Sequence, residues 1–150
     1  YFFAFFENFF VPILTSGGLA AVSASAFAAL YSAFGKYDVV HIHAEGPAFF
    51  SWLPKMFRKR VVVTIHGVDW QREKWQSGFG SKFIRQGEKN AVKYADEIIV
   101  LSKGVQDYFK ETYGSTDMRF STSVWSTKAA AWATGSMLIH LIWISTAAAN

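Results

Sequence analysis

The sequence predicts an α/β fold, a parallel sheet with flanking helices. Short apolar runs rich in β-branched residues alternate with helix-like segments between residues 37 and 114. The central run, Val61–Ile65, is apolar apart from Thr64, which is typical of a strand buried on both faces of a parallel sheet. Strands and helices that alternate with short connections form right-handed βαβ units.

Each predicted element follows from its local pattern. Ala-rich residues at helical spacing predict a buried first helix that Gly35 ends as a C-cap. Pro47 suits the first turn of a second helix, and Ser102 can cap a last one. The predicted order is helix Leu19–Phe34, strand Tyr37–Ile42, helix Pro47–Phe57, strand Val61–Ile65, helix Ser81–Ala95, strand Glu97–Leu101 and the helix after Ser102.

Composition limits the classes of function. A chain of 150 residues suits one domain with a real core. The absence of Cys excludes disulfides, thiol catalysis and cysteine-bound metals. The formal charge of +4 is compatible with anionic partners but too small to indicate nucleic acid, so we expect no nucleic-acid partner.

The two ends of the chain differ from its middle. Residues 36–114 carry 22 of the 26 charged side chains. We therefore expect residues 17–114 to form the domain and residues 1–16 to be an atypical segment, too short for a membrane span. Residues 115–150 lack a clear period, and we expect this tail to be non-native, the product of a shifted reading frame. Within it, Met137–Ile144 suits either a strand or a short helix.

Polar residues collect where the predicted strands end. In open α/β sheets the ligand crevice lies beyond the carboxyl ends of the strands, and the helices that follow present free N–H groups there that attract anions. His66, which closes the apolar central strand, is the predicted catalytic residue. The other predicted cleft residues are His43, Glu45, Gly67, Asp69 and Ser102.

Two further interpretations of these histidines remain open. His41 and His43 share one face of their strand, and either can instead be a structural histidine bonded to neighbouring backbone. Together with His66 they are also a plausible zinc or iron set, as in a metal-dependent hydrolase. Such sites usually need a further ligand, and the only other histidine is His140 in the tail.

A basic stripe follows one side of the helix Ser81–Ala95. It is either a solvated face or a contact with anionic lipid headgroups, where each cation contributes about 1 kcal/mol. A non-catalytic fragment that only docks on membranes or on a partner through this helix is therefore a third class of function. The stripe consists of Lys82, Arg85, Lys89 and Lys93.

Three stretches of the middle resemble a known family. They are DVVHIHAEGPAFFSWLPKMF, RVVVTIHGVDWQREKW and GEKNAVKYADEIIVLSKGVQDYF. Together they resemble the N-terminal domain of GT-B glycosyltransferases of family 4, in particular the bacterial rhamnosyltransferase-like branch that builds capsular or O-antigen polysaccharide. The resemblance covers roughly Gly18–Gly114 and departs from the family pattern at both ends.

The resemblance implies a two-domain enzyme at the inner face of the plasma membrane or in the cytoplasm. Its N-terminal Rossmann-like domain holds the acceptor, often a lipid-linked sugar, and its C-terminal domain holds a nucleotide-sugar donor as co-substrate. No metal and no other cofactor is expected. By position, His66 matches the family's cleft histidine, and His43 and Glu45 match the preceding loop. The donor domain is not found in this sequence, so we expect this chain alone to be an inactive fragment.

Overall fold

Parallel strands form the centre of the fold in the computed structural model, which describes residues 18–67, 78–114, 120–121 and 138–141. Within those residues the sheet has five strands in the order β4-β3-β2-β1-β5, and each neighbouring pair is parallel. The strands are β1 Val39–His43, β2 Arg60–Ile65, β3 Glu97–Val100, β4 Phe120–Ser121 and β5 Leu138–Leu141. The predicted α/β class is confirmed.

Five helices connect or precede these strands in the described residues. They are α1 Gly18–Phe34, α2 Glu45–Ala48, α3 Trp52–Met56, α4 Gly78–Tyr94 and α5 Lys103–Tyr113. The predicted helices before β1, before β3 and after Ser102 are confirmed with small shifts of their ends. None of the helices in these residues is both long and apolar enough to cross a membrane.

The predicted helix Pro47–Phe57 is instead two short helices. Between them, the amides of Phe49, Phe50 and Ser51 donate to carbonyls three residues earlier, as in a tight turn. Pro54 has no N–H to donate to the Phe50 carbonyl, which takes the Leu53 amide instead. The proline therefore prevents one continuous α-helix over this segment.

The core lies on the face of the sheet that packs against the helices. Strand residues on this face alternate with those of the opposite face, as the two-residue period requires. The largest buried cluster comprises Val40, Ile42, Ala48, Val61, Val63, Ile65, Ala91, Ile98, Val100 and Phe109. Val39, Val62 and Ile99 form a smaller buried cluster on the opposite face.

Helix α1 is only partly buried, which differs from the prediction. Its small residues Ala29, Ser32 and Ala33 face inward and are almost completely covered. Its large apolar residues lie on the other side, where Phe34 is 70% exposed. The Ala-rich pattern indicates the helix but not its buried side, because close packing here takes the small residues rather than the large ones.

The ends of α5 carry the expected signals. The Ser102 hydroxyl accepts a hydrogen bond from the Val105 amide at 3.3 Å, as an N-cap does. Gly114 ends the helix in the left-handed conformation at φ 60°, and its amide donates to the Lys110 carbonyl. The N-cap fixes the point at which α5 begins after β3, and the C-cap fixes its end.

Candidate active site at the carboxyl edge of the sheet

Two neighbouring strands place four polar side chains on one face of the sheet. In β1, His41 and His43 are two residues apart, as are Thr64 and His66 at the end of β2. His43 is the register partner of Thr64 in this parallel pair. Because residues in register point to the same side, all four side chains share the face opposite the main core.

The three imidazole rings follow one another toward solvent. The centroids of His41 and His43 are 4.2 Å apart, with a 36° angle between the rings. The centroids of His43 and His66 are 5.7 Å apart, and these rings are stacked at 26°. His41 and His43 are half-buried and His66 is exposed, so the stack ends in an imidazole that a ligand can reach.

Thr64 is bonded to the inner end of the stack. Its Oγ1 lies 2.7 Å from Nε2 of His41, and the residue is buried. Either atom can donate, since the direction depends on the tautomer of the imidazole. This bond satisfies a buried hydroxyl and fixes one edge of the His41 ring.

The backbone between β1 and α2 turns sharply at Ala44. Its φ of 77° and ψ of 160° are values that glycine adopts freely, and a residue with a side chain adopts them at a cost of about 1–3 kcal/mol. The Ala44 amide donates to the Thr64 carbonyl at 2.8 Å, which ties this turn to β2. The turn therefore fixes the direction in which the chain leaves His43.

Helix α4 holds the segment after that turn. A Cβ atom on Gly87 would overlap the carbonyl oxygen of Glu45, so only glycine allows α4 to pack this closely on α2. One turn later, Asn90 Nδ2 donates to the Phe49 carbonyl at 2.6 Å. The loop behind His43 is thus supported by two residues of one helix.

Glu45, the first residue of α2, is completely buried. Burial and the Glu88 carboxylate raise the pKa of the Tyr113 phenol well above its ordinary range, and Glu45 adds a smaller effect in the same direction. The role of Glu45 in the cleft stays a prediction.

The remaining predicted cleft residues are placed as follows. Gly67 directly follows His66, and a Cβ atom there would meet nothing within 4 Å. Ser102 is exposed at the same edge of the sheet, with its hydroxyl engaged in capping α5. Asp69 lies outside the described residues.

The sequence family is decided by a match over most of the chain. The model of Glycosyltransferase Family 4 matches residues 5–121, well over half of the chain. The chain belongs to glycosyltransferase family 4. A comparison with individual curated proteins gave no match.

Family 4 membership extends beyond the motifs that indicate it in the sequence. The match begins before α1 and ends with β4, so it includes residues 5–16 and 115–121 of the two segments expected to be atypical. It supports a glycosyltransferase domain with a Rossmann-like sheet. The boundaries of that domain at residues 17 and 114 stay a prediction.

The metal interpretation gains no support in this family 4 domain. Among the described residues, no group of three His, Asp or Glu side chains is arranged to hold a metal ion. His41 is bonded to Thr64, and the three imidazoles face one another as rings.

The residues that support the histidines of the family 4 site are not evident from the sequence pattern. Thr64 carried one available signal, since it is the single polar residue within the apolar run of β2 and lies two residues before His66. Gly87 and Asn90 carried none, because their importance depends on contacts with α2 and Phe49 that lie about forty residues away in sequence.

Proposed function

We propose that this domain is the acceptor-side half of an enzyme that transfers a sugar from a nucleotide-sugar donor to a lipid-linked or glycan acceptor. The family match supports glycosyl transfer, and the edge geometry supports the location of the site. The observation that carries the proposal is the exposed imidazole of His66 at the carboxyl end of β2, backed by the rings of His43 and His41.

His66 is the proposed catalytic residue. An imidazole at this edge can exchange a proton with an acceptor hydroxyl or donate a hydrogen bond to the departing phosphate. The N-terminus of α5 belongs to the same edge, where the positive end of the helix dipole favours a negatively charged group. No metal is required for either role, so the nucleotide-sugar is proposed as the only co-substrate.

The finer assignment is transfer of rhamnose during the synthesis of bacterial cell-surface polysaccharide. Its support is the likeness of the three sequence stretches to that branch of family 4. Assaying the transferase against a panel of nucleotide-sugars tests it directly. Transfer of another sugar in preference to rhamnose would overturn this assignment without affecting the role of His66.

Replacement of His66 tests the catalytic role. In the active transferase that contains this domain, we expect His66→Ala to lower kcat about a hundredfold or more, the range for loss of a proton-transfer group. His66→Gln, which keeps a hydrogen-bonding side chain, separates proton exchange from hydrogen bonding alone. Lys110→Ala, an exposed change on α5, is the control.

Melting temperature is measured for each variant, because the exposed position of His66 predicts little loss of stability. A His66→Ala enzyme with nearly normal turnover and unchanged melting would contradict the catalytic role and leave a structural one.

The proposed partner besides donor and acceptor is the acidic inner surface of the plasma membrane. The support is the basic stripe of α4, whose four cationic residues are all exposed. Lipid-linked acceptors are held at such a surface, so a cationic helix on this domain brings enzyme and acceptor to the same membrane.

A further inference from the structure

We infer that His41 and Thr64 are positioning residues that fix the orientation of His66 through His43. Neither residue reaches the exposed end of the site. The inference rests on the proposed role of His66 for its effect on catalysis, whereas its structural part stands on the ring and hydrogen-bond geometry alone.

The side chains of Thr64, His41, His43 and His66 are linked in a closed series of contacts, which we call the circuit. Thr64 Oγ1 is 2.7 Å from His41 Nε2, the His41 ring contacts His43 at 4.2 Å, and the His43 ring stacks on His66 at 5.7 Å between centroids. The backbone of β2 closes the circuit, because Thr64 and His66 are two residues apart on the same face. Displacement of any member is therefore transmitted to the ring at the exposed end.

The circuit matters because an exposed side chain otherwise samples several rotamers. Holding a reacting group in one orientation removes that freedom before the substrate binds, and a small misplacement costs a large factor in rate. His66 is exposed, but its inner neighbours are half-buried and Thr64 is 4% exposed. The buried end of the circuit thus restricts the rotamers open to the exposed end.

The hydrogen bond also restrains the orientation of the His41 ring. If Nε2 carries the proton, Thr64 accepts, and if it does not, Thr64 donates. In either state the ring cannot turn over without breaking the bond at the buried end. This constraint distinguishes a positioning role from simple filling of space, which any side chain of similar volume would provide.

Thr64→Val tests the inference, since valine has nearly the same shape, suits a strand and lacks the hydroxyl. The readout is the set of imidazole NMR resonances of this chain, assigned by single His replacements. We expect Thr64→Val to shift the resonances of His43 and His66, although Thr64 is bonded to neither ring in the circuit. Thr64→Ser keeps the hydroxyl and should restore the wild-type positions.

His41→Phe removes the same hydrogen bond from the other side while keeping a ring. In the active transferase, we expect each single replacement to lower kcat about tenfold or more with little change in KM, because the His66 imidazole is still present but is no longer held in its orientation. The double variant should lose no more than the larger single loss, as for two residues of one pair.

The outcomes separate this inference from the proposed function. Thr64→Val and His41→Phe variants that melt at lower temperature but leave the His66 resonances in place would overturn it. If the resonances move but neither these variants nor His66→Ala changes turnover, the positioning stands and the catalytic role of His66 fails. If His66→Ala loses activity while Thr64→Val does not, the positioning has no catalytic effect, and that part of the inference is overturned.

Discussion

A buried carboxylate joins two helices at the level of single side chains. Glu88 in α4 is 1% exposed, and its Oε1 accepts hydrogen bonds from the hydroxyls of Tyr108 at 2.9 Å and Tyr113 at 2.6 Å. A charge is tolerated in a protein interior only when such donors replace water. The glutamate therefore fixes α5 against α4, and through α4 it supports the loop behind His43.

At neutral pH, Tyr113→Phe removes one of the two phenol donors and leaves the Tyr108 hydroxyl bonded to Glu88. We expect a loss of about 1.5–3 kcal/mol in the free energy of unfolding, the range for a hydrogen bond to a charged group. Urea denaturation at pH 7 measures it. A loss too small to measure would show that Tyr113 does not contribute to holding the carboxylate.

A pH dependence follows from the same contact. Burial raises the pKa of Tyr113 above the ordinary value of 10.0, and the Glu88 carboxylate raises it further. The folded state thus holds the phenol proton more tightly than the unfolded chain does, so this stabilisation is complete below about pH 10 and is lost as the pH rises further. We expect the stability difference between wild type and Tyr113→Phe to shrink above that pH. A stability difference between the two proteins that stays constant above about pH 10 would contradict this pH dependence.

At the scale of whole elements, two glycines within helices differ in the space around them. Gly87 in α4 faces the Glu45 carbonyl with no space for a Cβ atom, whereas a Cβ atom on Gly104 in α5 would meet nothing within 4 Å. A glycine inside a helix costs about 1 kcal/mol relative to alanine. Only the first of these two sites offsets that cost through closer packing.

The matched pair Gly87→Ala and Gly104→Ala tests this difference. We expect Gly87→Ala to destabilise the fold by about 1–3 kcal/mol or more, because α4 must move off α2 and release the turn at Ala44. Gly104→Ala should instead stabilise it by about 0.4–1 kcal/mol. Thermal or urea unfolding compares them, and a similar effect from both alanines would contradict the packing role of Gly87.

Local patterns predicted most elements, and packing decided the rest. The β-branched runs of β2 and β3 and the cap at Ser102 are properties of a few neighbouring residues, so the sequence was enough. The exposure of Phe34 depends on which side of α1 meets the sheet, and Phe34 instead contacts Phe57 of the next connection at 4.6 Å between centroids. A one-dimensional period does not contain that choice.

The candidate site shows the same division. Its location at the carboxyl edge follows from strand direction, and His66 could be named because it closes an apolar strand. The bond between His41 and Thr64 joins residues 23 positions apart and depends on the register of β1 with β2. Register is a tertiary property, so the support of the site could not be predicted from the sequence.

At the scale of the molecule, β1 lies inside the described sheet rather than at its edge. Leu138–Leu141 pairs with Val39–Ile42 in parallel register, so this part of the segment that the sequence left open between strand and helix is a strand. Its partner lies about a hundred residues earlier, which is why periodicity could not distinguish a strand from a helix.

The proposal of a shifted reading frame after Gly114 is tested by translating the encoding DNA in the other two frames. It fails if neither frame encodes an apolar strand followed by a turn.

The helical layer gives the molecule one strongly basic side. Along α4 the buried residues Phe83, Ile84 and Ala91 face inward. The opposite side presents four cations in succession, namely Lys82, Arg85, Lys89 and Lys93. Near an acidic membrane each contributes about 1 kcal/mol, enough together for reversible association.

Two charge-matched variants test whether this side meets the membrane. Lys82→Glu with Lys89→Glu reverses two charges of the stripe, and Lys103→Glu with Lys110→Glu reverses two on α5, so both lower the formal charge of +4 equally. We expect the wild type to float with vesicles of phosphatidylglycerol and phosphatidylcholine at low salt and to dissociate as salt rises. The α4 variant should bind at least about tenfold more weakly, whereas the α5 variant should bind nearly as the wild type does. Equal loss in both variants would indicate a general effect of charge, and no binding by the wild type at low salt would exclude the membrane as a partner of α4.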